Sequence, residues 1–177
     1  MYRGVAEELG ALLARRRVEL VYGGGRVGLM GVLADAVLAG GGKVIGVIPE
    51  ALSGREVAHS GLTDLRVVPT MHARKALMAE LSSAFVALPG GFGTLDELFE
   101  IVTWGQLGLH RKPIGLLNVA GYFDGLLRFV DHSIAERFVR PEHRALLVVE
   151  TAPEVLLDTL AQHRPPVVRK WITPGEA

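Results

Sequence analysis

Short β-rich runs alternate with stretches of helical apolar period along almost the whole chain, and no other feature restricts the fold so strongly. The runs are "VELVY" (18–22), "KVIGVI" (43–48), "LRVV" (65–68), "AFVAL" (84–88), "PIGLLN" (113–118) and "LLVV" (146–149). Between them, helical spacing is read over 29–39, 71–82, 94–106, 122–138 and 153–161, and before the first run in Val5, Leu9, Leu12 and Leu13. Over 122–138, Phe123, Leu127, Val130 and Ile134 fall on one face. A βαβα order of this kind predicts an α/β protein, with a parallel sheet covered by helices on both faces. Residues 1–177 are read as one domain without internal repeat or linker, and residues 163–177 as a C-terminal tail without clear period. The chain opens inside a helix, so either the sheet starts at 18–22 or an N-terminal strand is missing.

Composition narrows the function classes. Hydrophobic residues make up 49% and charged residues 21% of 177, enough apolar content for a full core. Nineteen basic residues balance nineteen acidic ones, so no bulk field favours nucleic acid or an anionic membrane, and an anion must be held by a local site. Cysteine is absent, which removes thiolate catalysis and cysteine-ligated metals and fits a cytoplasmic protein. No apolar stretch is long enough to cross a membrane. The opening "MYRGVAEELGALLARRR" carries Glu7 and Glu8 and is read as an amphipathic helix, not a signal peptide.

Two glycine-rich turns follow strands. In "VYGGGRVGLMG", Gly23, Gly25 and Gly28 have the spacing of a dinucleotide fingerprint between a strand and a helix. The acid this motif requires would be Glu50, but it follows Pro49 in a long loop, which leaves close backbone approach to another ligand or strand as the competing reading. The second turn, "LPGGFGTLDE", is the stronger signal. Gly90, Gly91 and Gly93 leave amides uncovered at a helix N-terminus, where a phosphate is welcome. Thr94 to Glu97 also has the form of a capping box, with Thr94 as cap and Glu97 reaching back to its amide. Spacing alone leaves both the cap and the catalytic acid open for Glu97. Acids so near an anion loop call for cations nearby.

In "MHARKALMAEL" such cations stand ready. Met71, Arg74, Met78 and Leu81 share one stripe that should face the core, so a guanidinium there needs a carboxylate or a phosphate unless it snorkels to solvent. Lys75 stands beside it.

"MHARKALM" followed by "PGGFGTLDE" resembles the paired motifs of the LOG ("lonely guy") family, cytokinin riboside 5′-monophosphate phosphoribohydrolases once labelled lysine decarboxylases. "LVYGGGRVGLMG", "GGKVIGVIPEAL" and "TWGQLGLHRKPIGLLNVAGYFDGLL" are similar to that family too, so the likeness runs over about residues 5–160. The resemblance implies a Rossmann-like doubly wound fold, a homodimer, and hydrolysis of a nucleoside 5′-monophosphate, AMP or a cytokinin riboside 5′-monophosphate, to free base and ribose 5-phosphate. It places the catalytic pair on Arg74 and Glu97, and substrate binding on Glu56, Lys75 and the loop through Gly90, Gly91, Gly93 and Thr94. Gly24 and Gly25 of the first turn are assigned to substrate binding as well. Family members usually open with a strand ending in a Gly-Ser turn, which this sequence does not show; were that strand truly missing, one wall of the pocket and the sheet's stability would be affected.

Physically, the loop amides, the Thr94 hydroxyl and Arg74 would hold the 5′-phosphate while Glu97 faces the sugar. There a carboxylate stabilises oxocarbenium-like charge or activates water. No metal or organic cofactor is required. The six histidines lack metal-site spacing, and His72 and His110 are read as hydrogen-bonded structural residues. Phe92 and Trp104 line a base pocket or belong to core and interface. A pyridoxal-phosphate decarboxylase is disfavoured, since four lysines in so short a chain offer little for that chemistry. The rival from another class is a nucleotide-binding module or carrier without turnover. Excess apolar residues on 94–106 and 122–138 add to the expectation of a homodimer, with no nucleic acid or membrane partner.

Overall fold

The computed structural model describes residues 1–53 and 58–166. Glu56 and tail residues 167–177 lie outside the described residues. The chain divides into two compact units, Met1–Ser82 and a second beginning at Ser83.

The first unit contains α1 (Tyr2–Arg15), β1 (Leu20–Tyr22), α2 (Gly28–Ala39), β2 (Val44–Pro49), the short α3 (Glu50–Ser53), β3 (Asp64–Val68) and α4 (Met71–Leu81). Its strands pair in parallel in the order β1-β2-β3, with Leu20 opposite Val44 and Gly46 opposite Leu65. β2, "VIGVIP", is buried at all positions but Ile45, as expected of a strand covered on both faces. α2 and α4 pack on this sheet, and α1 packs on α2 through its buried Ala6, Leu9, Leu12 and Leu13.

The second unit contains β4 (Phe85–Ala87), α5 (Phe92–Gln106), β5 (Ile114–Leu117), a 3-10 turn at Val119–Gly121, α6 (Asp124–Ala135), a second 3-10 segment at Pro141–Leu146, β6 (Leu147–Glu150) and α7 (Pro153–Gln162). The order is β4-β5-β6, again parallel, with Phe85 opposite Ile114 and Leu116 opposite Val149. β5, "IGLL", is wholly buried, and α7 covers β5 and β6 with Leu156 and Leu160.

The parallel α/β architecture expected from the alternation is thus present, with the strands paired as two ladders of three. Within each ladder the strands pair in sequence order, the most local solution that buried apolar runs allow. Glu50 opens α3 instead of sitting in a long loop. The helix expected over 122–138 is confined to Asp124–Ala135, because the chain turns through positive φ at Ala120 and Gly121 before it and at Arg137 after it. Phe123 packs fully inside, whereas no α6 residue is fully buried and Phe129 is 61% exposed.

Candidate functional site

In the first unit the site is built around Arg74. Thr70 caps α4, its hydroxyl accepting from the Ala73 amide at 3.1 Å, and this sets the turn from which Arg74 projects. Arg74 is only 8% exposed, and its Nε donates to the Val47 carbonyl on β2 at 3.1 Å. The guanidinium lies across Gly23, where a Cβ would overlap it. Glycine at 23 is therefore a condition for the arginine's position. Gly24 has φ of +73° and backs onto β2 and β3, where a Cβ would stand 3.3 Å from Ile48 Cβ and 3.4 Å from Leu65 Cδ1. Gly25 bridges Ala58 in antiparallel fashion. Arg74, half-buried Lys75, Gly24 and Gly25 all belong to this unit. Of the stripe expected to face the core, only Arg74 is buried: Met71, in the first turn of the helix, is exposed, and Met78 and Leu81 are half-buried.

In the second unit, the stronger glycine turn leads into α5, but the helix starts earlier than the capping-box reading predicts. Its N-cap is Gly91, with no side-chain cap, and Phe92 is the first helical residue. Thr94 therefore lies inside the first turn, its side chain standing over Gly90, and is not a cap. The backbone decides this: Gly91 is extended, with φ of −91° and ψ of −153°, so the helical conformation begins at the next residue, Phe92. Asp96 and Glu97 consequently fall in the second turn, and the first turn holds no acid. That removes the anticipated conflict between an anion and two carboxylates at the helix start, where the macrodipole favours negative charge. A Cβ at Gly91 or Gly93 would meet nothing within 4 Å, so the turn presents open backbone. Gly90, Gly91, Gly93, Thr94 and Glu97 all lie on this one turn and the start of its helix.

Two side chains that sequence reasoning did not single out hold this turn. The Tyr122 hydroxyl donates to the Gly90 carbonyl at 2.6 Å. Buried Asn118 accepts from the Phe123 amide at 2.7 Å and donates to Asp124 at 2.8 Å, shaping the bend from which Tyr122 projects. The only signal for Tyr122 was its place in the run "NVAGYFDGLL". Phe92 is 93% exposed beside the turn, and Trp104 is half-buried.

His110 takes the structural role expected of it. Its Nδ1 accepts from the Lys112 amide at 3.1 Å, so its Nε2 donates to the Ile101 carbonyl at 2.8 Å. Burial holds its pKa below the usual value, helped by the Lys112 charge and opposed by the Ile101 hydrogen bond. His72 is exposed on α4. Among the described residues no three histidine or carboxylate side chains converge as a metal site would need, and no helix is long and apolar enough to cross a membrane.

Comparison with known proteins adds the following. A family model described as "Possible lysine decarboxylase" matches residues 30–160. A rice protein (Oryza sativa subsp. japonica) named probable cytokinin riboside 5′-monophosphate phosphoribohydrolase LOGL9 is 54% identical over 164 residues, covering 93% of this chain and 72% of its own. Cytokinin riboside 5′-monophosphate phosphoribohydrolase LOG1 of Arabidopsis thaliana is 48% identical over 164 residues, 93% of this chain and 77% of its own. Among solved structures, the molybdenum cofactor carrier protein of Chlamydomonas reinhardtii superposes with a TM-score of 0.67 at 23% identity, over 91% of this chain and 86% of that one. A likeness at that identity speaks for the Rossmann-like fold alone.

Proposed function

Because this chain belongs to the LOG family, we propose that it hydrolyses the N-glycosidic bond of a purine nucleoside 5′-monophosphate, AMP or a cytokinin riboside 5′-monophosphate, releasing free base and ribose 5-phosphate. The observation that carries this reading is the 48–54% identity to named phosphoribohydrolases over 93% of the chain. The open α5 turn without an acid in its first turn supports it, since it suits a 5′-phosphate.

Roles follow residue by residue. The amides of Gly91, Gly93 and Thr94 bind the phosphate, with Gly90 shaping the turn, and Lys75 and Glu56 add substrate contacts. Gly24 and Gly25 contribute backbone. Arg74 is the catalytic arginine, held by its bond to Val47 before any substrate arrives. Glu97 offsets the charge that develops at C1′ as the bond to the base nitrogen breaks. It takes the proton from the water that adds to C1′, and a proton returns to the departing base.

The exposed apolar residues Phe99 on α5 and Phe129 on α6 support a homodimer, which light scattering at micromolar concentration tests. The cysteine-free composition supports a cytoplasmic setting. The decisive experiment is product analysis after incubation with AMP and isopentenyl-AMP. Free base is the expected result, and unchanged but bound nucleotide would make the protein a carrier or sensor. Arg74→Ala should remove most turnover, with Lys75→Ala weakening binding less severely, by about 1.5–3 kcal/mol at most for a lost charge-assisted contact.

A further inference from the structure

The chain between α3 and β3 returns to touch the first glycine turn, and it is fastened there by one side-chain pair that the proposed reaction does not use. Ala58 bridges Gly25, and the His59 amide donates to the Gly24 carbonyl at 2.9 Å. The His59 ring, 11% exposed, then reaches α2, where its Nε2 lies 2.9 Å from Asp35 Oδ1. Its Nδ1 accepts from the Gly61 amide at 3.1 Å. With Nδ1 committed as acceptor, Nε2 carries the hydrogen and donates to the carboxylate. One imidazole thus ties three pieces together: the return segment, its own turn at Gly61, and the helix that follows the glycine turn.

The imidazole, not the nearby phenol, engages Asp35. The neighbouring phenol of Tyr22, buried at the end of β1, makes no hydrogen bond to that carboxylate or to any other described group. Asp35 is 72% exposed and sits in the middle of α2, where alanine would be a better helix former, so fold stability alone gives little reason for an acid there. The acid's one described contact of consequence is the ring that pins Ala58–Gly61 on Gly24 and Gly25.

We propose that His59, oriented by Asp35, is a positioning residue for nucleotide binding: the clasp holds the Ala58–Gly61 segment on the Gly24–Gly25 backbone and so sets the geometry that the nucleotide meets. This rests on the reading of Gly24 and Gly25 as substrate-binding. The clasp acts through other residues and touches no reacting atom, so its loss should appear in KM and leave kcat nearly unchanged.

The test uses the whole chain and five variants. Asp35→Ala and His59→Asn break the ring-to-α2 bond, while His59→Asn keeps an acceptor near the Gly61 amide and His59→Gln keeps a donor toward Asp35. Asp35→Ala changes an exposed side chain on a helix and should fold, so the test does not depend on His59→Ala surviving. Expected are KM values for AMP raised about 3- to 10-fold in Asp35→Ala and His59→Asn, the range of one hydrogen bond. Further expectations are near-normal KM in His59→Gln, kcat within about twofold throughout, and no further loss in the double variant Asp35→Ala/His59→Ala relative to His59→Ala. Hydrogen exchange at the His59 and Gly61 amides should quicken in Asp35→Ala without any nucleotide present. Wild-type KM in Asp35→Ala, or loss confined to kcat, overturns the proposal, as do unchanged exchange rates. If wild-type protein binds AMP without releasing adenine, hydrolysis fails as the function, and the same variants judge the clasp by AMP affinity in calorimetry. If wild-type protein does not bind AMP, the clasp's role in nucleotide binding falls with it.

Discussion

The two glycine-rich turns look alike in sequence and are opposite in structure. Each follows a short strand and leads into a helix, yet Gly23 and Gly24 of the first are pressed against protein while Gly91 and Gly93 of the second face open space. A Cβ at Gly23 would overlap Arg74, and one at Gly24 would press on Ile48 and Leu65. At Gly91 and Gly93 a Cβ would meet nothing. The lesson is that glycine serves two different needs: close packing around a buried cation in one place, and access to backbone amides in the other.

The largest expected effect tests the second turn. Glu97→Gln should lower kcat by at least about 10²-fold while nucleotide still binds, because a neutral amide accepts no proton from water and offsets no cationic charge. Since α5 begins at Phe92, Glu97 is not part of a cap, and glutamine keeps the side chain's length and an accepting oxygen, so the replacement should cost stability far less than it costs turnover, about 1 kcal/mol or less. Adenine release and a melting curve on the same preparation check both halves. A retained hydrolytic rate would move the catalytic carboxylate elsewhere, to Asp96, Glu100 or Glu56.

Gly23→Ala attacks the first turn at its tightest point. The added methyl must displace the Arg74 guanidinium, so stability should fall by about 1–3 kcal/mol and turnover should fall with it. Chemical denaturation and AMP hydrolysis measure the two losses together. Gly91→Ala supplies the contrast: with open space around it and φ of −91°, it should fold with stability within about 1 kcal/mol of wild type. Its KM should rise nonetheless, because the methyl stands where the phosphate would approach. If Gly91→Ala unfolds the protein or Gly23→Ala leaves it untouched, the contrast between the turns is wrong.

The smallest effect is expected at Tyr22→Phe. The phenol is buried just before Gly23 and has no hydrogen-bond partner among the described residues; burial, and then the Asp35 charge, push its pKa far up, so it stays protonated. Removing an unsatisfied buried hydroxyl should leave stability unchanged or raise it by up to about 1 kcal/mol, as thermal unfolding would register. A loss of nucleotide affinity instead would mean that the first turn, too, presents a group to the ligand.

Much of this was legible in the amino acids themselves, because it depends on periodicity, which is local. Apolar runs four to six residues long separated by helical spacing specify which segments are strands and which helices, and full burial of "IGLL" follows from its composition. The stripe holding Arg74 announced that residue's burial for the same reason, although Met71 is exposed and Met78 and Leu81 are only half-buried. The motif residues of both turns were equally visible. What the tertiary structure alone decided is where chain segments distant in sequence meet. Asp35 and His59 are 24 residues apart, Gly90 and Tyr122 are 32 apart, and neither pairing leaves a periodic trace. The start of α5 also escaped local rules: "TLDE" has every mark of a capping box, but an N-cap is a backbone position, and that position fell at Gly91. Side-chain spacing can nominate partners, whereas the path of the backbone determines which of them come within reach of a hydrogen bond.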